Sequence, residues 1–368
     1  MRIGGGAKQV NAERAIRLAL PGKGTLESGT LAFLSECGLK VNRSNPRQYL
    51  AGISSMRDLE VVFQRAADIP ALVQDGDATL GITGYDILAE HRGSGDEEGE
   101  EESDDDDLIV LERDLGYGKC SLVVAVPETW IDVSTCADLW HLAGYYAAHK
   151  RRGLRIATKY PALTGQFLRR HGITHCKIIS PHGALEAAPL TDTADLIVDL
   201  TETGTTLREN HLKLLDDGVV LRSQACLIAN APLLRQDERG LRIASMLLEL
   251  IEARMQARNQ SMLTASMQAE SADEMQHICT RLNQRLQALV SGLEFQMANS
   301  EGLHKAGPRS YTLTGVVDVG GSASELLEIV ATLRSAGAAH INITPLTYRF
   351  AEEAVSVRSL RERLKRMQ

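Results

Sequence analysis

The residues Glu202-Thr-Gly-Thr-Thr206 place three hydroxyls and a glycine in five positions, three residues after a carboxylate, Asp199. Hydroxyls and free backbone N–H groups donate hydrogen bonds to a phosphate. A glycine such as Gly204 lets the backbone come close to a ligand. A carboxylate beside such a loop suits a divalent cation or a ribose hydroxyl. The competing reading is an ordinary capped strand–helix turn, because Ser and Thr are good helix caps in any case.

The flanking residues supply the elements that would hold this loop. Asp195-Leu-Ile-Val-Asp-Leu200 is short and mostly apolar and reads as a buried strand. Asp195 and Asp199 lie four apart on it and share one face, with Asp199 at the carboxyl end, where ligands dock in open α/β sheets. Leu207-Arg-Glu-Asn-His-Leu-Lys-Leu-Leu215 repeats apolar residues at helical spacing, which predicts a helix whose N-terminus points at the loop.

Other strand ends carry comparable residues. Ala15–Leu20 predicts a strand followed by Pro21-Gly-Lys-Gly24, a turn that is not a full P-loop but brings Lys23 and Gly24 to a strand tip. Gly81-Ile-Thr-Gly84 ends another strand. Leu154–Thr158 predicts a third, with Thr158, Lys159 and Tyr160 at its carboxyl end. Arg65 reads either as a ligand contact or as a solvated arginine, and His182 as a turn residue. Leu108–Val126 reads as strand, glycine-rich crossing and strand, with Asp114 either capping the turn or touching a ligand. Val219–Asn230 predicts one long strand, and Gly240 to about Gln256 a helix.

Composition narrows the class. The chain has 368 residues, 43% of them hydrophobic, enough for a large core in two or three domains, with no apolar run near twenty residues. The net charge of −8 is dominated by ten acids between Asp96 and Asp107, and without them 40 basic residues face 38 acidic ones. A basic surface for nucleic acid is not implied. Residues 93–107 are too acidic and too poor in apolar residues to fold, and predict a disordered surface loop. The closest cysteines, Cys120 and Cys136, are 16 apart, which excludes a CxxC motif and points to reduced thiols in the cytoplasm. Residues 1–14 lack the apolar core of a signal peptide and read as a flexible lead-in. From Ser261 the pattern turns to β-α-β-β-α-β, a ferredoxin-like order, followed by a charged helical tail.

Several of these stretches together resemble one family. Glu186–Leu207 resembles the signature of the ATP phosphoribosyltransferases, with Asp199–Leu207 as their phosphoribosyl-pyrophosphate loop. Arg155-Ile-Ala-Thr-Lys-Tyr-Pro161, the Asp114–Lys119 crossing, Arg65, Asp68-Ile-Pro70 and Gly81–Gly84 are similar to other parts of that family. The resemblance covers roughly residues 15–349. It implies an α/β fold of two hinged lobes, like a periplasmic solute-binding protein, with a C-terminal ferredoxin-like, ACT-like α+β regulatory domain, as in the long form of the enzyme. The implied boundaries are residues 15–115 and 221–255 for lobe I, 116–220 for lobe II, 256–349 for the regulatory domain and 350–368 for the tail. Residues 140–152 stand as an insertion.

The implied activity is transfer of phosphoribosyl from phosphoribosyl pyrophosphate to N1 of ATP, releasing Mg²⁺-pyrophosphate, with histidine as feedback inhibitor and a hexamer as the assembly. Lys23, Arg65 and Asp199 are the implied catalytic residues. Thr203, Gly204, Thr205 and Thr206 would hold the 5′-phosphate, and Glu186 and Asp199 the Mg²⁺. Gly24, Gly84, Asp114, Gly116, Thr158, Lys159, Tyr160 and Glu202 would line the substrates. One departure stands out: the family has an acid directly after the glycine at Gly84, and here that position is Tyr85. Two other classes stay open, a different phosphoribosyltransferase and a non-catalytic two-lobe ligand-binding protein.

Overall fold

The computed structural model describes residues 15–45, 47–93, 107–181, 184–297, 309–318 and 322–367. The expected flexible lead-in, most of the acidic segment and the His182 turn lie outside the described residues. Two compact units appear: residues 1–248 together with 355–368, and residues 249–354.

The first unit begins with β1 (Ile16–Pro21), α1 (Gly24–Glu36), β2 (Val41–Asn42), β3 (Leu50–Ile53), β4 (Met56–Gln64), α2 (Ile69–Gln74), β5 (Leu80–Gly84), α3 (Tyr85–Arg92) and β6 (Leu108–Glu112). It continues with β7 (Cys120–Pro127), α4 (Cys136–His149), β8 (Leu154–Thr158), α5 (Pro161–Arg170), β9 (Cys176–Ile179), β10 (Leu196–Thr201), α6 (Thr205–Glu209) and β11 (Leu212–Ser223). The chain then returns through β12 (Ala225–Asn230), α7 (Ala231–Gln236) and α8 (Glu238–Ala257), which leads into the second unit. Two sheets result, ordered β2-β3-β4-β1-β5-β12-β6 and β11-β7-β10-β8-β9. Each sheet is the floor of one lobe. The chain crosses between them after β6 and again at Gln224.

β1 runs parallel to β4 and β5, and β10 parallel to β8, with Val198 opposite Thr158. The strand tips at Pro21, Gln64 and Gly84 in one lobe, and at Thr158 and Thr201 in the other, are therefore carboxyl ends. That is where open α/β sheets bind ligands. Central strands are apolar on both faces, as parallel strands covered by helices must be: Leu18, Leu20, Ile156 and Val198 have no exposed surface.

Two local expectations fail for one reason. The helix predicted over Leu207–Leu215 stops at Glu209 after little more than a turn, and Leu212–Ser223 is a strand. Leu212 and Leu215 are both buried at a spacing that also suits a helix, and a short apolar run cannot distinguish the two periods. Pairing decides: Leu212–Leu214 lies antiparallel to Ala125–Pro127, with a register shift before Val219. The single long strand expected over Val219–Asn230 is likewise two strands in two sheets, divided at Gln224. Residues 140–152 are mostly helix, the later part of α4, which starts from a capping box between Thr135 and Asp138.

The second unit contains β13 (Gln260–Ala269), α9 (Ala272–Leu286), β14 (Val290–Met297), β15 (Arg309–Asp318), α10 (Ala323–Ser335) and β16 (Ala339–Pro345). Its sheet order is β14-β15-β13-β16, all antiparallel, which is the ferredoxin-like arrangement. Leu263, Met275, Leu282, Leu313, Ile329 and Leu333 form its core, one stripe from each of the sheet, α9 and α10. The charged tail is α11 (Val355–Arg366). It buries Val357, Leu360 and Leu364 and belongs to the first unit, where Arg235 Nη1 donates to the Met367 carbonyl at 2.6 Å. No helix among the described residues is long and apolar enough to cross a membrane.

Candidate active site

Two adjoining cavities lie at the carboxyl ends of the strands in the first unit. The smaller, about 270 Å³, is lined by Glu186, Asp199, Glu202, Thr203, Thr205 and Thr206. The larger, about 640 Å³, has Lys23, Gly24, Gly84 and Asp86 from one lobe and Cys120, Tyr160 and Glu202 from the other. Leu200, Thr201 and Glu202 line both, so the two spaces lie side by side along the end of β10.

The hydroxyl loop owes its shape to its own side chains. Gly204 sits at φ +73, a left-handed conformation that favours glycine. It is buried, and its N–H donates to Thr201 Oγ1 at 2.8 Å. That N–H is used within the loop, so the glycine serves the turn rather than leaving a bare backbone for a ligand. The Thr203 and Thr205 hydroxyls are 2.9 Å apart and both exposed. Arg208, which sequence reasoning did not single out, reaches back to Thr205 Oγ1 at 3.3 Å and the Thr203 carbonyl at 3.4 Å. Its signal was its place three residues after Thr205 on a helical turn, which returns a side chain to the loop. With α6 only five residues long, fixed hydroxyls and this guanidinium matter more than a helix dipole.

Electrostatics divide β10. At its start Asp195 accepts hydrogen bonds from Arg152 Nη1 and Nη2 at 2.5 and 2.9 Å, and from Arg155 N at 2.7 Å. Burial opposes ionisation there, but the hydrogen bonds from Arg152 and Arg155 outweigh it and hold the carboxyl far below the usual carboxylate range. At the other end Asp199 receives, among the described residues, only its neighbour's backbone, Leu200 N–H at 2.9 Å. Burial pushes its pKa up, Lys159 opposes and Glu186 adds to the rise. Asp195 and Asp199 do not form one acidic site. Asp199 and Glu186 are two carboxylates on one small cavity, with Glu186 adding to the rise at Asp199, and carboxylate oxygens are the donor type that Mg²⁺ takes.

Several expected residues stand outside the cavity walls. Arg65 is exposed at the end of β4, beside Ala66, which does line the larger cavity. Asp114 Oδ1 accepts from Gly116 N–H at 2.7 Å and its carboxylate pairs with Lys119 at 3.3 Å, so it shapes the crossing turn, where Gly116 has φ +80. Thr158 is buried with its hydroxyl accepting Tyr160 N–H at 3.0 Å, and Lys159 is exposed. Lys23 and Gly24, by contrast, are on the wall of the larger cavity: Lys23 holds the N-cap position of α1 with no side-chain cap bond, and Gly24 takes φ +79.

The larger cavity also holds residues that the sequence did not mark. Tyr117 lies against Phe33, with centroids 5.2 Å apart and its hydroxyl 2.9 Å from Thr30 Oγ1. A Cβ on Gly29 would meet the Tyr117 ring at 2.8 Å, so the glycine gives the ring room. Burial, with Asp86 adding, pushes the Cys120 thiol up to about 11, which keeps it protonated and non-nucleophilic. The acid expected directly after Gly84 is absent at Tyr85. One position further on, Asp86 is 4% exposed and on the cavity wall.

Comparison with known proteins places these residues in context. A family model described as HisG: ATP phosphoribosyltransferase matches residues 65–256. ATP phosphoribosyltransferase 2, chloroplastic, of Arabidopsis thaliana is 36% identical over 338 residues, covering 92% of this chain and 78% of its own. ATP phosphoribosyltransferase of Chelativorans sp. (strain BNC1) is 44% identical over 215 residues, 58% of this chain and 89% of its own. Among solved structures, the ATP phosphoribosyl transferase (HisG:HisZ) complex from Thermotoga maritima has a chain 28% identical, with a TM-score of 0.47, covering 64% of this chain and 98% of that one.

Proposed function

This chain belongs to the ATP phosphoribosyltransferase family, a long-form member, and we propose on that premise how its residues divide the reaction. The family's reaction joins N1 of ATP to C1′ of phosphoribosyl pyrophosphate and releases pyrophosphate, the first step of histidine biosynthesis. The leaving group needs no proton donor. The chemistry asks instead for two polyanions to be held in line and for separating charge to be stabilised.

The observation that carries the assignment is that two chemically different cavities share the Leu200–Glu202 wall. Hydroxyls and acids dominate the smaller one, which suits a ribose 5-phosphate: Thr203, Thr205 and Thr206 hold the phosphate with Arg208, and Asp199 takes the ribose hydroxyls. Leu26, Ile87, Tyr117 and Tyr160 give the larger one apolar and aromatic walls, which suit a purine base. Lys23 faces that space and neutralises phosphate charge, and Arg65 and Lys159, the exposed chain neighbours of the wall residues Ala66 and Tyr160, add positive charge. Gly204 keeps the loop in the left-handed turn that presents the hydroxyls. Mg²⁺, held by Glu186 and Asp199, would neutralise the diphosphate charge. Residues 249–354, a unit that catalysis by itself does not need, act as the histidine-binding regulatory domain of a homo-hexamer.

The test is pyrophosphate release by the full chain with ATP and phosphoribosyl pyrophosphate, with and without histidine. Release should need both substrates and Mg²⁺, and should slow when histidine is added, without simple competition with ATP. Replacing Gly204 with Val, a β-branched residue at φ +73, should cut the rate by two or more orders of magnitude, about 3 kcal/mol. No release from the unmodified chain would point to ligand binding without catalysis. Release unaffected by histidine would remove the regulatory assignment alone.

A further inference from the structure

α3 belongs to one lobe, yet its two acids, one helical turn apart, both reach the other. Asp86 Oδ2 accepts from the Tyr160 hydroxyl at 2.6 Å, and Oδ1 from the Ser223 hydroxyl at 2.5 Å. The Asp86 N–H donates in turn to the same Ser223 Oγ at 2.8 Å. Glu90, four residues on, accepts Ala162 N–H at 2.8 Å and Leu163 N–H at 3.0 Å through its two oxygens, and so caps the start of α5. Tyr160 is the residue directly before that helix. The acids of one short helix thus hold both the phenol and the backbone of a single turn in the opposite lobe.

Burial and the Asp86 charge push the Tyr160 phenol far above its ordinary value, so it keeps its proton, and that proton is spent on Asp86. A phenol has one proton to donate. What Tyr160 offers the cavity is therefore its ring, while its hydroxyl is turned to the carboxylate.

We propose that Asp86 is a positioning residue for the nucleotide: through the Tyr160 hydroxyl it fixes the ring as a flat wall for the base, and with Glu90 it anchors the Thr158–Tyr160 turn to the opposite lobe. This rests on the assignment of the larger cavity to ATP. Charge-assisted hydrogen bonds of this kind are short and directional, which suits holding a ring at a fixed angle. The two hydroxyls donate to different oxygens of Asp86, and asparagine would put an NH2 donor in place of one of them and remove the charge from both contacts.

The experiment is a double-mutant cycle on the full chain with Asp86→Asn, Tyr160→Phe and the pair, reading KM for each substrate, kcat and melting temperature. Each single change should raise KM for ATP about tenfold and leave KM for phosphoribosyl pyrophosphate within about twofold. The pair should be no worse than Tyr160→Phe alone, because both changes act on the same charge-assisted contact. Effects that multiply to about a hundredfold would overturn the proposal. So would a fall in melting temperature with both KM values unchanged, the mark of a merely structural contact. Where Asp86→Asn does not fold, Tyr160→Phe decides alone: a tenfold rise in KM for ATP supports the proposal and an unchanged KM sinks it. Tyr160→Leu removes the ring itself; if KM for ATP survives that change, the cavity assignment fails, separately from the role of Asp86.

Discussion

The two ends of β10 carry the same residue type in opposite circumstances. Asp195, 8% exposed, is surrounded by two guanidinium groups and a backbone N–H. Asp199, at the carboxyl end, has one backbone donor, a nearby acid in Glu186, and a cavity in front of it. One carboxylate is paired at the start of the strand, and the other faces the cavity at its end. Residues that perturb a carboxylate upward and leave it facing a cavity weaken the folded state slightly and mark a place for a ligand.

Removing each charge should separate the two roles. Asp199→Asn is expected to lower kcat/KM by about two orders of magnitude, roughly 3 kcal/mol of transition-state stabilisation, with the melting temperature unchanged or slightly raised. The sign follows from the raised pKa: folding already disfavours the charged form, so deleting the charge removes a cost. A fall in melting temperature with activity retained would reverse the comparison.

Asp195→Asn is expected to do the opposite. It leaves two arginines facing an amide and should cost about 2 to 4 kcal/mol of stability, read by denaturant unfolding. Activity at low temperature should be largely kept. The folded pKa of Asp195 is depressed, so its contribution is present above the ordinary carboxylate value of about 4 and is lost as pH falls below it. The parent chain should therefore lose stability more steeply than the variant on acidification below about pH 4. Parallel acid-unfolding curves would contradict this.

The smallest effect sharpens the picture of Asp199. Burial is the main cause of its rise and Glu186 a lesser one, so Glu186→Gln should move the acid limb of the pH–rate profile down, and only slightly. An unmoved limb would separate Glu186 from Asp199.

Much of this was legible in the residues themselves. The strand entering a Thr-Gly-Thr-Thr loop, the strand tips at Lys23, Gly84 and Tyr160, and the β-α-β-β-α-β pattern after Ser261 are local, and local periodicity and turn chemistry report such features directly. The helix expected at Leu207–Leu215 failed because pairing with β7, far away in the chain, overrode a short ambiguous pattern. Asp195 and Asp199 looked alike because spacing alone cannot say which acid meets Arg152 and Arg155. The contact between Asp86 and Tyr160 joins residues 74 positions apart, and that between Asp86 and Ser223 spans 137. Local sequence determined the elements and the chemistry each tip carries. Which carboxylate is neutralised, which phenol is held and which acid faces an open cavity were decided only when distant tips met, because burial and pairing set a group's electrostatics and neither is a property of its neighbours in sequence.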